Sequence, residues 1–143
     1  MKLLIAADHA GFPLKEALKK RASELHIEFD DLGTHNTESV DYPDFGDRLA
    51  NQLVAQPPGS MGVLVCGSGI GICIAANRHP HIRAVAAESV EAAKLAREHN
   101  HANVLCLGAR LTSPEKAFEI LKTFVNTQPD PAERHVRRVQ KLG

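Results

Sequence analysis

Cysteine, histidine, aspartate and arginine recur in this chain at places where a folded backbone could gather them around a small anion. The densest stretch is Cys66-Gly67-Ser68-Gly69-Ile70-Gly71, preceded by the apolar run Gly62-Val63-Leu64-Val65 and followed by Ile72-Cys73-Ile74-Ala75-Ala76-Asn77. A short continuous apolar run fits a buried parallel strand, so the segment reads as strand, loop, helix. Cys66 then stands at the strand's carboxyl end, where open α/β sheets bind ligands. Gly67, Gly69 and Gly71 let backbone N–H groups approach a ligand closely, and the start of the helix adds a positive partial charge. An anion is expected there, but not a nucleotide. A dinucleotide fingerprint needs a glycine where Ile72 stands, and no Gly-Lys-Ser/Thr follows to make a phosphate loop. What remains is a thiol beside an anion hole. Cysteine is the side chain most readily made into an anionic base or nucleophile near neutral pH, and a helix N-terminus or a cation favours its thiolate. By residue type alone Cys66 is equally a small buried hydrophobe; its place between strand end and glycine loop favours chemistry.

Other candidates follow from the elements that would position them. Lys2 to Ala7 is a second short apolar run, ending in Asp8-His9-Ala10-Gly11, so two titratable side chains share an edge with Cys66. Leu14, Ala17, Leu18 and Leu25 keep helical spacing from Phe12 to Leu25, with Lys15, Lys19 and Lys20 among the polar positions. Ile27 to Asp31 reads as a strand closing in Leu32-Gly33. The stretch Thr34 to Pro43 has no period, is long for a connection and carries the only tyrosine, Tyr42, a packing residue or a ligand contact. Phe45, Leu49, Leu53 and Val54 outline the next helix, which Pro57-Pro58-Gly59 stops. Arg83 to Ala87 is a fourth strand, Ser89 caps a helix running to about His99, and Val104 to Leu107 is a fifth strand ending in Gly108-Ala109-Arg110. Ser113-Pro114 opens a helix with Ala117, Phe118, Leu121, Phe124 and Val125 on its inner stripe. Strand and helix alternate throughout, and right-handed crossovers turn that order into a parallel sheet covered by helices on both faces. Last comes a basic element, Glu133 to Leu142. If it is helical, Arg134 and Arg138 lie one turn apart with His135 adjacent, which suits a phosphate; the alternative is a solvated basic terminus.

Composition removes several classes of function. The chain of 143 residues fits one domain, and its 17 basic and 17 acidic residues balance, so no global field recruits nucleic acid or a membrane surface. Leu3 to Ala7 is too short for a signal peptide or membrane span. Three cysteines without a C-x-x-C pair fit reduced thiols in the cytoplasm. The eight histidines form no zinc pattern, so no metal is expected.

Taken in order, the residues resemble the type B ribose-5-phosphate isomerases and the related galactose-6-phosphate isomerase subunits. The resemblance runs from end to end: Asp8-His9-Ala10-Gly11, Asp41-Tyr42-Pro43, Cys66-Gly67-Ser68-Gly69-Ile70-Gly71, His99-Asn100 with Asn103-Val104-Leu105, Gly108-Ala109-Arg110, and Arg134-His135 with Arg138. It implies a Rossmann-like three-layer α/β/α sandwich with a five-stranded parallel sheet, a single isomerase domain over residues 1–143 and a basic C-terminal helix at about 132–142. It also implies no cofactor, a phosphorylated sugar substrate, and a homodimer, or a dimer of two dimers, with active sites at the interface. Some family members take the proton from sugar carbon 2 with a cysteine, and others place a glutamate farther along the glycine loop. Cys66, with Ile72 and Cys73 after Gly71, matches the cysteine branch, and Ser68 keeps the hydroxyl of the threonine common there.

The expected chemistry is aldose–ketose isomerisation through an enediolate. Cys66 would be the base, the backbone N–H groups of the 67 to 71 loop (Gly67, Ser68, Gly69, Ile70 and Gly71) an oxyanion hole, and the Ser68 hydroxyl would steady the thiolate. The resemblance gives His99 ring opening and Asp8 a sugar-hydroxyl contact, with Tyr42 and Asn100 also at the substrate. His9, Arg110, Arg134 and Arg138 would hold the phosphate, with His135 nearby. Because His99-Asn100 closes the helix before the fifth strand, it should lie at the sheet edge opposite Cys66, so a two-fold dimer is expected to bring His99 of one chain to Cys66 of the other. A six-carbon sugar phosphate (allose 6-phosphate or galactose 6-phosphate) and a non-catalytic sugar-phosphate-binding module are the alternatives. A cysteine phosphatase is excluded, since Ile72 stands where Cys-x5-Arg needs its cation.

Overall fold

Leu3, Ile5, Ala7, Val63, Val65, Leu105 and Leu107 face one side of the sheet, and Leu4, Ala6, Leu64, Cys66, Val104 and Cys106 face the other. That period of two is the pleat of extended strands, and both sides are apolar because both are covered. A computed structural model describes residues 1–143. The elements are β1 (Lys2–Ala7), α1 (Phe12–Lys20), a 3-10 turn (Ala22–Leu25), β2 (Glu28–Asp31), α2 (Tyr42–Leu53), β3 (Gly62–Cys66), α3 (Ile70–Asn77), β4 (Ala84–Ala86), α4 (Val90–Asn100), β5 (Val104–Gly108), α5 (Pro114–Asn126) and α6 (Glu133–Gln140). The five strands are all parallel in the order β2-β1-β3-β5-β4. Helices α1, α4 and α5 pack on the first face through Leu14, Leu18, Ala93, Phe118, Leu121 and Phe124. Helices α2 and α3 pack on the second through Phe45, Leu49, Leu53, Ile72 and Ala76. This is the expected Rossmann-like α/β/α architecture, with β1, β3 and β5 central.

Local signals hold at the helix starts. Ser89 Oγ accepts the Ala92 N–H at 3.0 Å and Ser113 Oγ the Lys116 N–H at 3.2 Å. Four expectations are corrected. The first helix ends at Lys20 rather than Leu25: the Arg21 N–H turns back to the Leu18 carbonyl at 3.1 Å, and the tighter turn Ala22–Leu25 closes at left-handed His26 (φ 55°), which delivers Ile27 into the core. The strands at Ile27 and Arg83 start one residue later, at Glu28 and Ala84, and β4 ends at Ala86. Tyr42 and Pro43 are not loop but the first turn of α2, where proline's missing N–H costs nothing. Lys15 is not on the solvated face: it is fully buried, with Nζ 2.6 and 2.7 Å from the two Asp31 carboxylate oxygens, while Lys19 reaches the same carboxylate at 2.7 Å.

The Lys15–Asp31 pair ties α1 to β2, and Asp31 Oδ1 also accepts the Gly33 N–H at 2.9 Å. Burial works to raise the Asp31 carboxyl, but the lysine hydrogen bonds, the Gly33 N–H and the Lys15 charge outweigh it and hold the pKa at about 2. A carboxyl depressed by folding stabilises above its unfolded pKa, and that contribution is lost as pH falls from about 4 to about 2. Asp31→Asn leaves the buried Lys15 without its counter-charge, so it should cost about 3 to 5 kcal/mol at neutral pH. Urea unfolding at pH 7 and pH 2 checks this: the gap between parent and variant should narrow by about 1 to 2 kcal/mol at the lower pH. A gap independent of pH would show that Asp31 is not the titrating partner.

Candidate active site

Three loops follow β1, β3 and β5 at the carboxyl edge of the sheet, and together they frame a cleft of about 510 Å³. Cys66, the last residue of β3, is buried, and its Sγ accepts the Gly69 N–H at 3.1 Å. That bond needs Gly69 in the left-handed region (φ 77°), a conformation glycine adopts without strain. Ser68 Oγ accepts the Ile70 N–H at 3.1 Å, which leaves its hydroxyl proton free to donate, and the donor seen at the Cys66 sulfur is the Gly69 N–H. The N–H groups of Gly67, Ser68 and Gly71 have no protein acceptor and remain available to an oxyanion.

Around the thiol, Asp8 is buried directly after β1, with Oδ1 accepting the Gly11 N–H at 2.9 Å. His9 Nδ1 accepts the Val40 N–H at 3.1 Å, which places the proton of the neutral ring on Nε2 and makes that nitrogen a donor. Arg110 is anchored by its N–H to the Gly67 carbonyl at 2.9 Å, and its guanidinium covers Gly67 so closely that a Cβ there would meet Nη1 at 2.9 Å. Tyr42 lies with its ring over Gly71, where a Cβ would meet it at 2.7 Å, and is exposed. It is therefore a wall of the cleft and not a core residue. Asp8, His9, Tyr42, Cys66, Ser68 and Arg110 all line this cleft, with Gly67, Ile70 and Gly71. The set offers one thiol, one carboxylate, a neutral donor and one guanidinium, enough to hold a small hydroxylated anion and move a proton on it.

The remaining candidates are elsewhere. His99 and Asn100 end α4 at the amino edge of the sheet and share a second cleft of about 300 Å³ with His135 and Arg138 of α6. The His99 and His135 rings stack with centroids 4.4 Å apart and planes 10° from parallel. His135 is buried; its Nε2 has no hydrogen-bond partner and stands 3.7 Å from Asp130 Oδ2. Burial, then the Arg134 and His99 charges, push the His135 imidazole below its ordinary value against the pull of Asp130. Arg134 and Arg138 make no ion pair, whereas Arg137 pairs with Glu133. In the sheet register Gly62 pairs with Val104 and Cys66 with Gly108, so Cys66 and the start of β5 are about 13 Å apart along the strands. The two clefts share no residue; within one chain the Cys66 group and the His99 group stay separate.

Gly11 and Gly108 shape the site through contacts that no sequence motif states. A Cβ on Gly11 would lie 2.2 Å from the Val65 carbonyl oxygen, and one on Gly108 would lie 2.5 Å from the Ser68 carbonyl carbon. Each permits a neighbouring loop to pass at backbone distance, and the available signal was a glycine just after an apolar run. Cys73 and Cys106 do not line the cleft. Burial pushes the Cys106 thiol well up, and a hydrogen bond between the two thiols pulls Cys73 down. No three His, Cys, Asp or Glu side chains are grouped to hold a metal ion, and no helix is long and apolar enough to cross a membrane.

Comparison with known proteins agrees with this fold. The family model described as Ribose/Galactose Isomerase matches residues 3–142. Ribose-5-phosphate isomerase B of Mycobacterium tuberculosis is 39% identical over 144 residues, covering 100% of this chain and 88% of that protein. The ribose 5-phosphate isomerase structure from Thermotoga maritima superposes with a TM-score of 0.92 at 44% identity, covering 99% of this chain and 96% of the other. The Mycoplasma genitalium ribose-5-phosphate isomerase B, solved with bound ribulose-5-phosphate, gives 0.92 at 33% identity over 99% of this chain and 93% of the other. The match begins in the first strand and runs past the last helix, and the chain belongs to the ribose/galactose isomerase family.

Proposed function

We propose that the chain interconverts ribose 5-phosphate and ribulose 5-phosphate through an enediolate, with Cys66 as the base. The observation that carries this reading is the Cys66 sulfur held by the Gly69 N–H at 3.1 Å inside the cleft that also holds Asp8, His9 and Arg110. An N–H aimed at sulfur stabilises the thiolate, which takes the proton from carbon 2 of the open-chain aldose. The enediolate charge on oxygen 1 meets the unpaired N–H groups of Gly67, Ser68 and Gly71. A proton passes from oxygen 2 to oxygen 1, and the thiol returns its own proton to carbon 1, which gives the ketose. Asp8 receives a sugar hydroxyl, and His9, Arg110, Arg134 and Arg138 take the phosphate, whose binding orients the reacting carbon.

The reading requires a homodimer. Helix α3 is apolar on every side, and Ile70 and Ile74 beside the Cys66 cleft are 53% and 60% exposed. Such a face on a short helix suits burial against a second copy. A two-fold axis there would set the His99, Asn100, His135 and Arg138 cleft of one chain against the Cys66 cleft of its partner, with His99 opening the sugar ring. The same reading makes the chain one isomerase domain with reduced thiols, working in the cytoplasm without a cofactor. A six-carbon sugar phosphate is the second reading, because the family description spans ribose and galactose isomerases; coupled assays of ribose 5-phosphate and allose 6-phosphate separate the two.

Cys66→Ala should abolish solvent deuterium exchange at carbon 2 while phosphate-dependent binding persists. Retention of more than about a tenth of the exchange rate, a loss under ~1.4 kcal/mol, would remove Cys66 from the role of base.

Arg134→Ala and Arg138→Ala should each weaken substrate binding by roughly 1.5 to 3 kcal/mol, the worth of a hydrogen bond to a charged group. The penalty should vanish for unphosphorylated ribose. Equal losses with both sugars would make these arginines structural.

Mixing Cys66→Ala with His99→Ala chains under conditions that exchange subunits should restore activity, since in a mixed dimer one site carries both lesions and the other neither. If exchange is confirmed by mass and the mixture stays inactive, the two residues act within one chain and the shared site is wrong.

A further inference from the structure

A third polar cleft, of about 370 Å³, opens at the amino edge of the sheet among Ser60, Arg83, Arg97, His101, Asn103 and Gln128, and no Leu, Ile, Val, Met or Phe lines it. Its two arginines lack acidic partners. Arg97 is only 8% exposed; its Nε donates to the Thr127 carbonyl at 3.1 Å and its Nη1 to the Ala102 carbonyl at 2.6 Å. Arg83 Nε donates to the His101 carbonyl at 3.0 Å. No carboxylate lies within ion-pair distance of either guanidinium: nearby Glu98 pairs with Lys94 at 3.9 Å, and Asp130 turns its oxygens to the Ala132 N–H and towards His135. Burial lowers the basicity of both arginines, and the Arg83 charge lowers Arg97 further, as expected of two like charges drawn together out of water.

Those three bonds serve carbonyls at the ends of α4 and α5, where a cation complements the helix dipole. They do not use the rest of the forks. Arg97 Nη2 and both Nη atoms of Arg83 have no protein acceptor, and neither arginine has an enclosed partnerless nitrogen, since the only such side-chain atom is His135 Nε2. The free donors therefore reach the cleft. Asn103 anchors the Arg83 main chain: its Oδ1 accepts the Arg83 backbone N–H at 2.8 Å and its Nδ2 donates to the His81 carbonyl at 3.0 Å. Two pre-positioned guanidinium forks without a carboxylate match a tetrahedral dianion, which can accept from both at once. We propose that Arg83 and Arg97 form a second phosphate site, distinct from the two clefts assigned to the isomerase reaction, that takes inorganic phosphate or a phosphomonoester. Phosphate there ties the starts of β4 and β5 to the end of α4, whose last two residues are His99 and Asn100.

Calorimetric titration of inorganic phosphate, at ionic strength matched with chloride, into the full chain carrying His9→Ala, Arg110→Ala, Arg134→Ala and Arg138→Ala tests this away from the proposed substrate anchors. One phosphate per chain should bind and raise the thermal midpoint, and adding Arg83→Gln should weaken binding by about tenfold or more, the loss of a charge-assisted contact. Ribose 5-phosphate binding more tightly than inorganic phosphate, with the same loss in Arg83→Gln, would identify an ester as ligand; equal affinities would identify free phosphate. Arg83→Glu is the control for folding: it gives Arg97 a carboxylate, so it should be more stable than Arg83→Gln and show no phosphate-dependent rise. No saturable binding in the parent, binding within about twofold in Arg83→Gln, or Arg83→Glu less stable than Arg83→Gln would each overturn the site.

Discussion

Backbone running against backbone at the carboxyl edge is the constraint on which the Cys66 cleft depends. The loops after β1, β3 and β5 touch where no side chain fits: Gly11 against Val65, Gly69 against Leu107 at 2.9 Å from its would-be Cβ, and Gly108 against Ser68. Main-chain bonds then lock the loops together, from Asp8 N–H to the Val65 carbonyl at 3.2 Å, Ala109 N–H to Cys66 at 2.9 Å and Arg110 N–H to Gly67 at 2.9 Å. The carboxylate, thiol and guanidinium thus take their positions from main chain rather than from flexible side-chain packing. Sites built on locked main chain hold the tolerances that proton transfer requires.

The same backbone logic explains which parts were legible in the sequence. Buried parallel strands leave short apolar runs, and caps leave serines, so five strands and the starts at Ser89 and Ser113 could be read directly. Cys66 and the glycine loop could be read because a strand end and a glycine run are both local. Lys15 could not, since a charged residue at a helical polar position looks solvated unless its partner is known, and Asp31 is sixteen residues away in another element. Tyr42 was misplaced because Asp41-Tyr42-Pro43 signals a turn and a helix start equally well. The 3-10 turn at Ala22–Leu25 depends on where β2 must begin, which no local pattern states. The roles of Gly11 and Gly108 lie in contacts between distant loops. Arg83 and Arg97 attracted no attention because neither belongs to a motif; only the fold puts them side by side.

A parallel sheet with crossover helices separates chemistry by polarity. Residues after strands meet helix N-termini, where N–H groups are free and partial charge is positive; residues after helices meet C-termini, where carbonyls are free and partial charge is negative. The carboxyl edge is therefore the natural place for an anionic group, and Cys66, at the end of β3 and ahead of α3, occupies it. The amino edge attracts cations, and Arg97 and Arg83 gather there, on or beside the end of α4, with α6 adding Arg138. Each cation that serves a helix end keeps donors over, because an arginine fork outnumbers the carbonyls that one helix end can aim at it. A reaction needing both a thiolate and a cluster of cations around one sugar phosphate must bring opposite edges of the sheet together. Within one chain the length of β3 keeps those edges apart, which is why the proposed reaction rests on the proposed two-fold dimer.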